Sequence, residues 1–142
     1  MTMVFADTFY WVAVFQPNSS WREPAKRARE SLGNVRLLTT DEVLNEFLAA
    51  MSKHGEHYRR EAVREVRAIL ADPNVTIVPQ SHVSFLRGVD LYGKRLDKEY
   101  SLTDCISMNA MREKSVTKVL THDHHFAQEG FEVLIASEQK TD

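Results

Sequence analysis

The stretch VLTHDHHFAQEGFEVL, residues 119–134, decides the fold of this chain. Apolar residues run up to Thr121. A turn crowded with His122, His124 and His125 then surrounds a single carboxylate, Asp123. Gly130 closes the polar stretch, and the apolar character resumes at Phe131. TKVLT (117–121) and FEVLI (131–135) therefore read as two short strands flanking a turn or short helix. A carboxylate placed just past the end of a strand is the first clue to chemistry.

Working outward, the same alternation fills the chain. MVFA (3–6) is a short apolar strand bounded by Asp7, and FYWVAVF (9–15) continues as a short helix stopped by Pro17. A polar helix over 21–33 ends at Gly33, a natural C-terminal cap, before the strand VRLLT (35–39). Two helices over 41–55 and 57–70 lead to the strand VTIVP (75–79). Helices over 81–93 and 101–114 then return to the opening stretch. Strands alternating with helices predict an α/β fold with a central, mostly parallel sheet of about four to five strands flanked by helices. In such sheets, ligands bind beyond the carboxyl ends of the strands. Asp7 and Asp123 both fall on that edge.

The 142 residues, 43% of them apolar, suit one domain, 1–142, with its core over about 3–136 and a short polar C-terminal tail. Apolar runs fall short of the roughly 20 residues that cross a bilayer, and Asp7 interrupts the N-terminal one, so neither a membrane span nor a signal peptide is expected. Cys105, the single cysteine, makes no internal disulfide or thiolate zinc site, and the cytosol is the expected compartment. A net charge of −2 does not advertise nucleic-acid binding, although a local basic surface can act against an acidic average.

Two further acids emerge from helical geometry. Val43, Leu44, Phe47, Leu48 and Met51 share one apolar arc at about 100° per residue. Glu46 lies roughly 60° beyond the edge of that arc, bordering the core. Thr39 with Glu42 fits a capping box, which gives Glu42 a structural role and leaves Glu46 the better site candidate. Ser101 with Asp104 fits the same signature. Asp104 then either complements the helix dipole alone or stands at the rim of the sheet edge. Carboxylates gathered in one pocket repel strongly and call for hard cations such as Mg²⁺ or Mn²⁺.

In this layout the chain resembles the PIN-domain family of metal-dependent nucleases. The resemblance rests on VFADTFYWVA (4–13), TTDEVLNEFL (39–48), YSLTDCISM (100–108) and VLTHDHHFAQEGFEVL (119–134), in the family's order. It implies that Asp7, Glu46, Asp104 and Asp123 are the acidic quartet, both catalytic and metal-holding, with Thr8 and Thr121 in support. It implies one or two Mg²⁺ or Mn²⁺ ions per site and metal-assisted phosphodiester hydrolysis leaving a 5′-phosphate. RNA is the implied substrate. The family includes VapC-type toxins, which implies a partner antitoxin, and small members of this kind are often homodimers. The histidines are not spaced i, i+4 as in a helical zinc pair. They are expected to be peripheral loop residues that meet phosphate when protonated.

Arg59, Arg60, Arg64, Arg67, Lys53, Arg87, Lys94, Arg95, Arg112 and Lys114 are candidates to meet RNA, each weighed against an ordinary solvated face. Tyr10, Trp11 and Trp21 are candidates for base stacking or for the core. A dehalogenase-like phosphatase would place a second Asp at position 9, where Phe9 stands. A PIN nuclease of RNA processing or repair, and a PIN module that binds without cutting, are the alternatives.

Overall fold

The computed structural model describes residues 2–136, so the polar tail expected after them lies outside the described residues. Five parallel strands form one sheet: β1 (Met3–Ala6), β2 (Arg36–Thr40), β3 (Val75–Val78), β4 (Lys118–Leu120) and β5 (Glu132–Val133), in the order β3-β2-β1-β4-β5. Among the described residues seven helices connect them: α1 (Thr8–Phe15), α2 (Arg22–Ser31), α3 (Asp41–Met51), α4 (Glu56–Ala71), α5 (His82–Lys94), α6 (Leu102–Glu113) and α7 (His125–Gln128). The expected α/β class and strand number hold.

The central strand shows no alternation in its sequence, and its burial explains why. Val4, Phe5 and Ala6 are all fully buried, because a parallel sheet is covered on both faces and reads as a continuous apolar run. Phe5 stands opposite Leu38 of β2 and Val119 of β4. β1 is therefore where the sheet switches direction: the chain first builds outward through β2 and β3, then returns to the other side of β1. A ligand cleft is expected at such a switch point.

The strand-to-helix junctions are tight. Asp7 is the N-cap of α1 in extended conformation, and its backbone N–H donates to Leu120 O at 3.3 Å, extending the pairing with β4. β2 runs straight into α3. Thr40, not Thr39, caps that helix, its hydroxyl accepting from the Val43 N–H at 3.1 Å. The expected Thr39–Glu42 box is thereby corrected: Thr39 is still in β2, fully buried, and donates to Ala6 O at 2.9 Å. Its hydroxyl donates to the neighbouring strand and accepts from the Trp11 indole N–H at 3.4 Å rather than from a helix N–H. At the far side, α5 lies close on α6 at Gly88, where a Cβ would come 2.6 Å from the Ile106 side chain. Val83, Phe85, Leu86, Val89 and Tyr92 of α5 remain exposed.

Candidate metal and active site

Asp7 sits at the C-terminal end of β1 and is buried, with 6% of its surface exposed. Its carboxylate accepts a hydrogen bond from the Thr121 hydroxyl at 2.9 Å. Burial, with the charges of the nearby Asp104 and Glu46 carboxylates, pushes its pKa up to about 7 against that hydrogen bond. Thr121 also reaches the second acid, where its Oγ1 accepts from the Asp123 backbone N–H at 3.1 Å. One hydroxyl thus ties the acid after β1 to the acid after β4.

Glu46 comes from the second turn of α3, beside the buried Val43, Leu44 and Phe47. The Thr8 hydroxyl donates to its Oε1 at 2.6 Å. That contact joins α1 to α3 and aims Glu46 toward the end of β1. The wheel position predicted a boundary residue, and the structure gives it a specific partner.

Asp104 helps to cap its helix and also lies beside a second carboxylate. The capping box is complete, with Asp104 N–H donating to Ser101 Oγ at 3.0 Å and Ser101 N–H donating to Asp104 Oδ2 at 3.1 Å. The same carboxylate faces Asp123, and its pKa is raised, first by burial and then by the Asp123 charge. Capping holds the side chain at the helix start, and the helix start stands at the site. Asp104→Asn is expected to stabilise the metal-free protein at pH 7 by ~1 kcal/mol, since Asn can still accept from Ser101 while the buried charge is gone. It is also expected to lose most of the thermal gain that Mn²⁺ gives the wild type. Paired melts in EDTA and in Mn²⁺ check both. A variant less stable in EDTA, yet gaining as much from Mn²⁺ as wild type, would leave Asp104 with the cap alone.

Asp123 lies in the turn after β4, where its Oδ1 accepts from the His125 backbone N–H at 2.9 Å. The three histidines of this turn part ways. His122 Nδ1 lies 2.9 Å from Ile135 O, and its ring packs on Trp21. His124 packs only against His125 among the ring contacts of the described residues. His125 departs from the peripheral expectation: its Nδ1 lies 3.3 Å from Asp104 Oδ2 and 3.2 Å from Asp123 Oδ1. Ligand atoms of Asp104, Asp123 and His125 all lie within 4.8 Å of one another. Sequence spacing missed this because the partner acid is on another helix.

The donor set fits a divalent cation. Two carboxylates have raised pKa values because their charges are buried together, which is the electrostatic condition that a bound cation relieves. Ser107, on the same side of α6 as Asp104 and one turn on, is fully buried, and its hydroxyl has no hydrogen-bond partner among the described residues.

Several candidate cations are already engaged. Arg60 pairs with Glu56, Arg64 with Glu61, and Arg87 with Glu113. Arg95 and Arg112 both close on Glu129. Tyr10 and Trp11 are core residues, whereas Trp21 is half-buried.

Comparison with known proteins gives one consistent picture. The PIN-domain family profile matches residues 4–132. The chain is 26% identical over 132 residues to the 23S rRNA-specific endonuclease VapC20 of Mycobacterium tuberculosis, in both strain CDC 1551 / Oshkosh and strain H37Rv. That alignment covers 91% of this chain and 95% of the relative. The crystal structure of Mycobacterium tuberculosis VapC20, described as a sarcin-ricin loop cleaving toxin, superposes with a TM-score of 0.79 at 23% identity, over 90% of this chain and 95% of that one.

Proposed function

The chain belongs to the PIN-domain family, and on that premise we propose that it is a metal-dependent endoribonuclease, the toxin of a toxin–antitoxin pair, working at Asp7, Glu46, Asp104 and Asp123. The observation that carries the reading is the convergence of these acids on one sheet edge, where the buried Asp7 feels both Asp104 and Glu46. The similarity to an rRNA endonuclease along nearly the whole chain supports RNA as the substrate.

Asp7, Asp104 and Asp123 are the residues that would hold Mg²⁺ or Mn²⁺, directly or through water. The cation supplies activation of water at neutral pH and neutralisation of charge on the scissile phosphate. Glu46, held by Thr8, is a further ligand or orients the attacking water. Thr121 keeps Asp7 and Asp123 in register with each other. Water oxygen bonds to phosphorus, the bond to the 3′ oxygen breaks, and the products carry a 5′-phosphate and a 3′-hydroxyl.

The partners follow from the same reading: an antitoxin that silences the enzyme, and a second copy of the chain. The exposed apolar side of α5 supports an interface there. No helix among the described residues is long and apolar enough to cross a membrane.

The decisive measurement is incubation of protein freed of contaminating ribonuclease with ribosomal RNA. Discrete cleavage is expected with Mg²⁺ or Mn²⁺, and none in excess EDTA. Undiminished cutting in EDTA would end the reading.

A further inference from the structure

We propose that His125 supplies a nitrogen ligand to the cation held by Asp104 and Asp123, so that this site prefers Mn²⁺ and other first-row transition ions to Mg²⁺. The inference rests on the nuclease reading and sharpens it, because the acids alone describe an all-oxygen site.

Geometry comes first. Donors at adjacent corners of an octahedron with bonds of about 2.1–2.2 Å stand roughly 3.0–3.1 Å apart. His125 Nδ1 is 3.2 Å from Asp123 Oδ1 and 3.3 Å from Asp104 Oδ2, so a cation can enter with small adjustments. The imidazole is also fixed in place. Its own backbone N–H holds Asp123 at 2.9 Å. Its ring packs 5.4 Å from that of the buried Tyr100, whose hydroxyl donates to Glu129 at 2.9 Å. Arg95 and Arg112 hold that carboxylate from the other side. Ligands oriented by such an outer layer bind metal more tightly than free ones. With 20% of its side chain exposed, His125 is turned inward, unlike the exposed His122 and His124.

Chemistry then sets the preference. Mg²⁺ takes oxygen ligands and gives up its waters reluctantly, whereas an imidazole nitrogen adds affinity along the first-row series. A mixed set of two carboxylates and one imidazole therefore separates the ions, which carboxylates alone do poorly.

The test uses the full chain and the bare ions. Pulsed EPR on wild-type protein with Mn²⁺ is expected to show coupling to a histidine nitrogen, lost in His125→Asn. Calorimetry is expected to give Mn²⁺ binding about tenfold weaker in both His125→Asn and His125→Gln, with Mg²⁺ binding changed by less than about twofold. Absence of nitrogen coupling in the wild type overturns the proposal without needing a folded variant. So does an equal loss of Mg²⁺ and Mn²⁺ affinity, which would mark His125 as a spacer between the acids. RNA cleavage by the same samples separates the two levels: cutting with metal but without nitrogen coupling sinks this inference and leaves the nuclease standing. Failure to bind either ion, with no cutting, sinks both.

Discussion

Asp7→Asn is expected to lose RNA cleavage by at least ~10³-fold and, in EDTA at pH 8, to be more stable than wild type. The activity loss follows from removing a proposed ligand, where charge stabilisation is worth several kcal/mol, at about 1.4 kcal/mol per factor of ten. The stability gain follows from burial. Folded Asp7 ionises near 7 and the unfolded side chain near its ordinary 3.8, so between those values the folded state keeps a proton that the unfolded state releases. Stability of the metal-free protein therefore falls as pH rises from about 4 to 7, and levels off above that. The whole effect is on the order of 2–4 kcal/mol. Asn keeps the size and can still accept from the Thr121 hydroxyl, so it removes the charge and little else. Urea denaturation of both proteins in EDTA at pH 5 and pH 8 isolates the contribution, since every other titrating group is common to the pair. If the gap between variant and wild type is the same at both pH values, Asp7 does not carry a raised pKa.

Glu129→Ala is expected to destabilise the fold by about 3 kcal/mol, a drop in Tm of roughly 10 °C for a chain of this size. Only 6% of the Glu129 side chain is exposed. Its carboxylate accepts from Arg95 Nε at 2.7 Å, Arg112 at 2.8 Å and the Tyr100 hydroxyl at 2.9 Å. Removing it leaves two guanidinium groups facing each other over a buried tyrosine. Both are partly open to water, which holds the loss at the lower end for a broken buried pair. The Arg95 guanidinium leads these contacts in holding the Glu129 pKa down to about 2, against an ordinary 4.5. A carboxylate with a lowered pKa stabilises the fold at pH above 4.5, and that contribution drains away as pH falls toward 2. Acid titration followed by circular dichroism is expected to show this loss in wild type and not in the variant. A variant as stable as wild type at pH 7 would mean that water solvates the two arginines as well as the carboxylate does.

Much of this was legible in the chain, for identifiable reasons. Strands and helices alternate with clear stops at Pro17, Gly33 and Gly55, and each acid lies at a strand end, a helix start or a wheel boundary. These are local signals. What local signals miss are the partners. Thr39 reads as a cap because a threonine stands three residues before Glu42, yet its hydroxyl is taken by a carbonyl on the next strand, 33 residues away. His125 reads as one of three similar histidines, and only a helix start 21 residues earlier in sequence sets it apart. Glu129 looks like an ordinary surface acid before a glycine. Its three partners come from two other segments, around Arg95–Tyr100 and at Arg112. Contacts across the fold choose among roles that local pattern leaves open.

The pairing of β1 with β4 also orders events in time. Synthesis delivers β1, β2 and β3 first, and these can pair while the rest of the chain is still being made. The other edge of β1 must wait, because Thr121 meets Asp7 across 114 positions. A nascent chain that ends after β3 holds Asp7 and Glu46 but has neither Asp104 nor Asp123. Such a chain, like any fragment released before residue 104, lacks two of the four acids proposed for the site. For a protein made on ribosomes and similar to an enzyme that cuts their RNA, the topology acts as a delay: the ribosome making the chain finishes most of its work before the chain can cut anything.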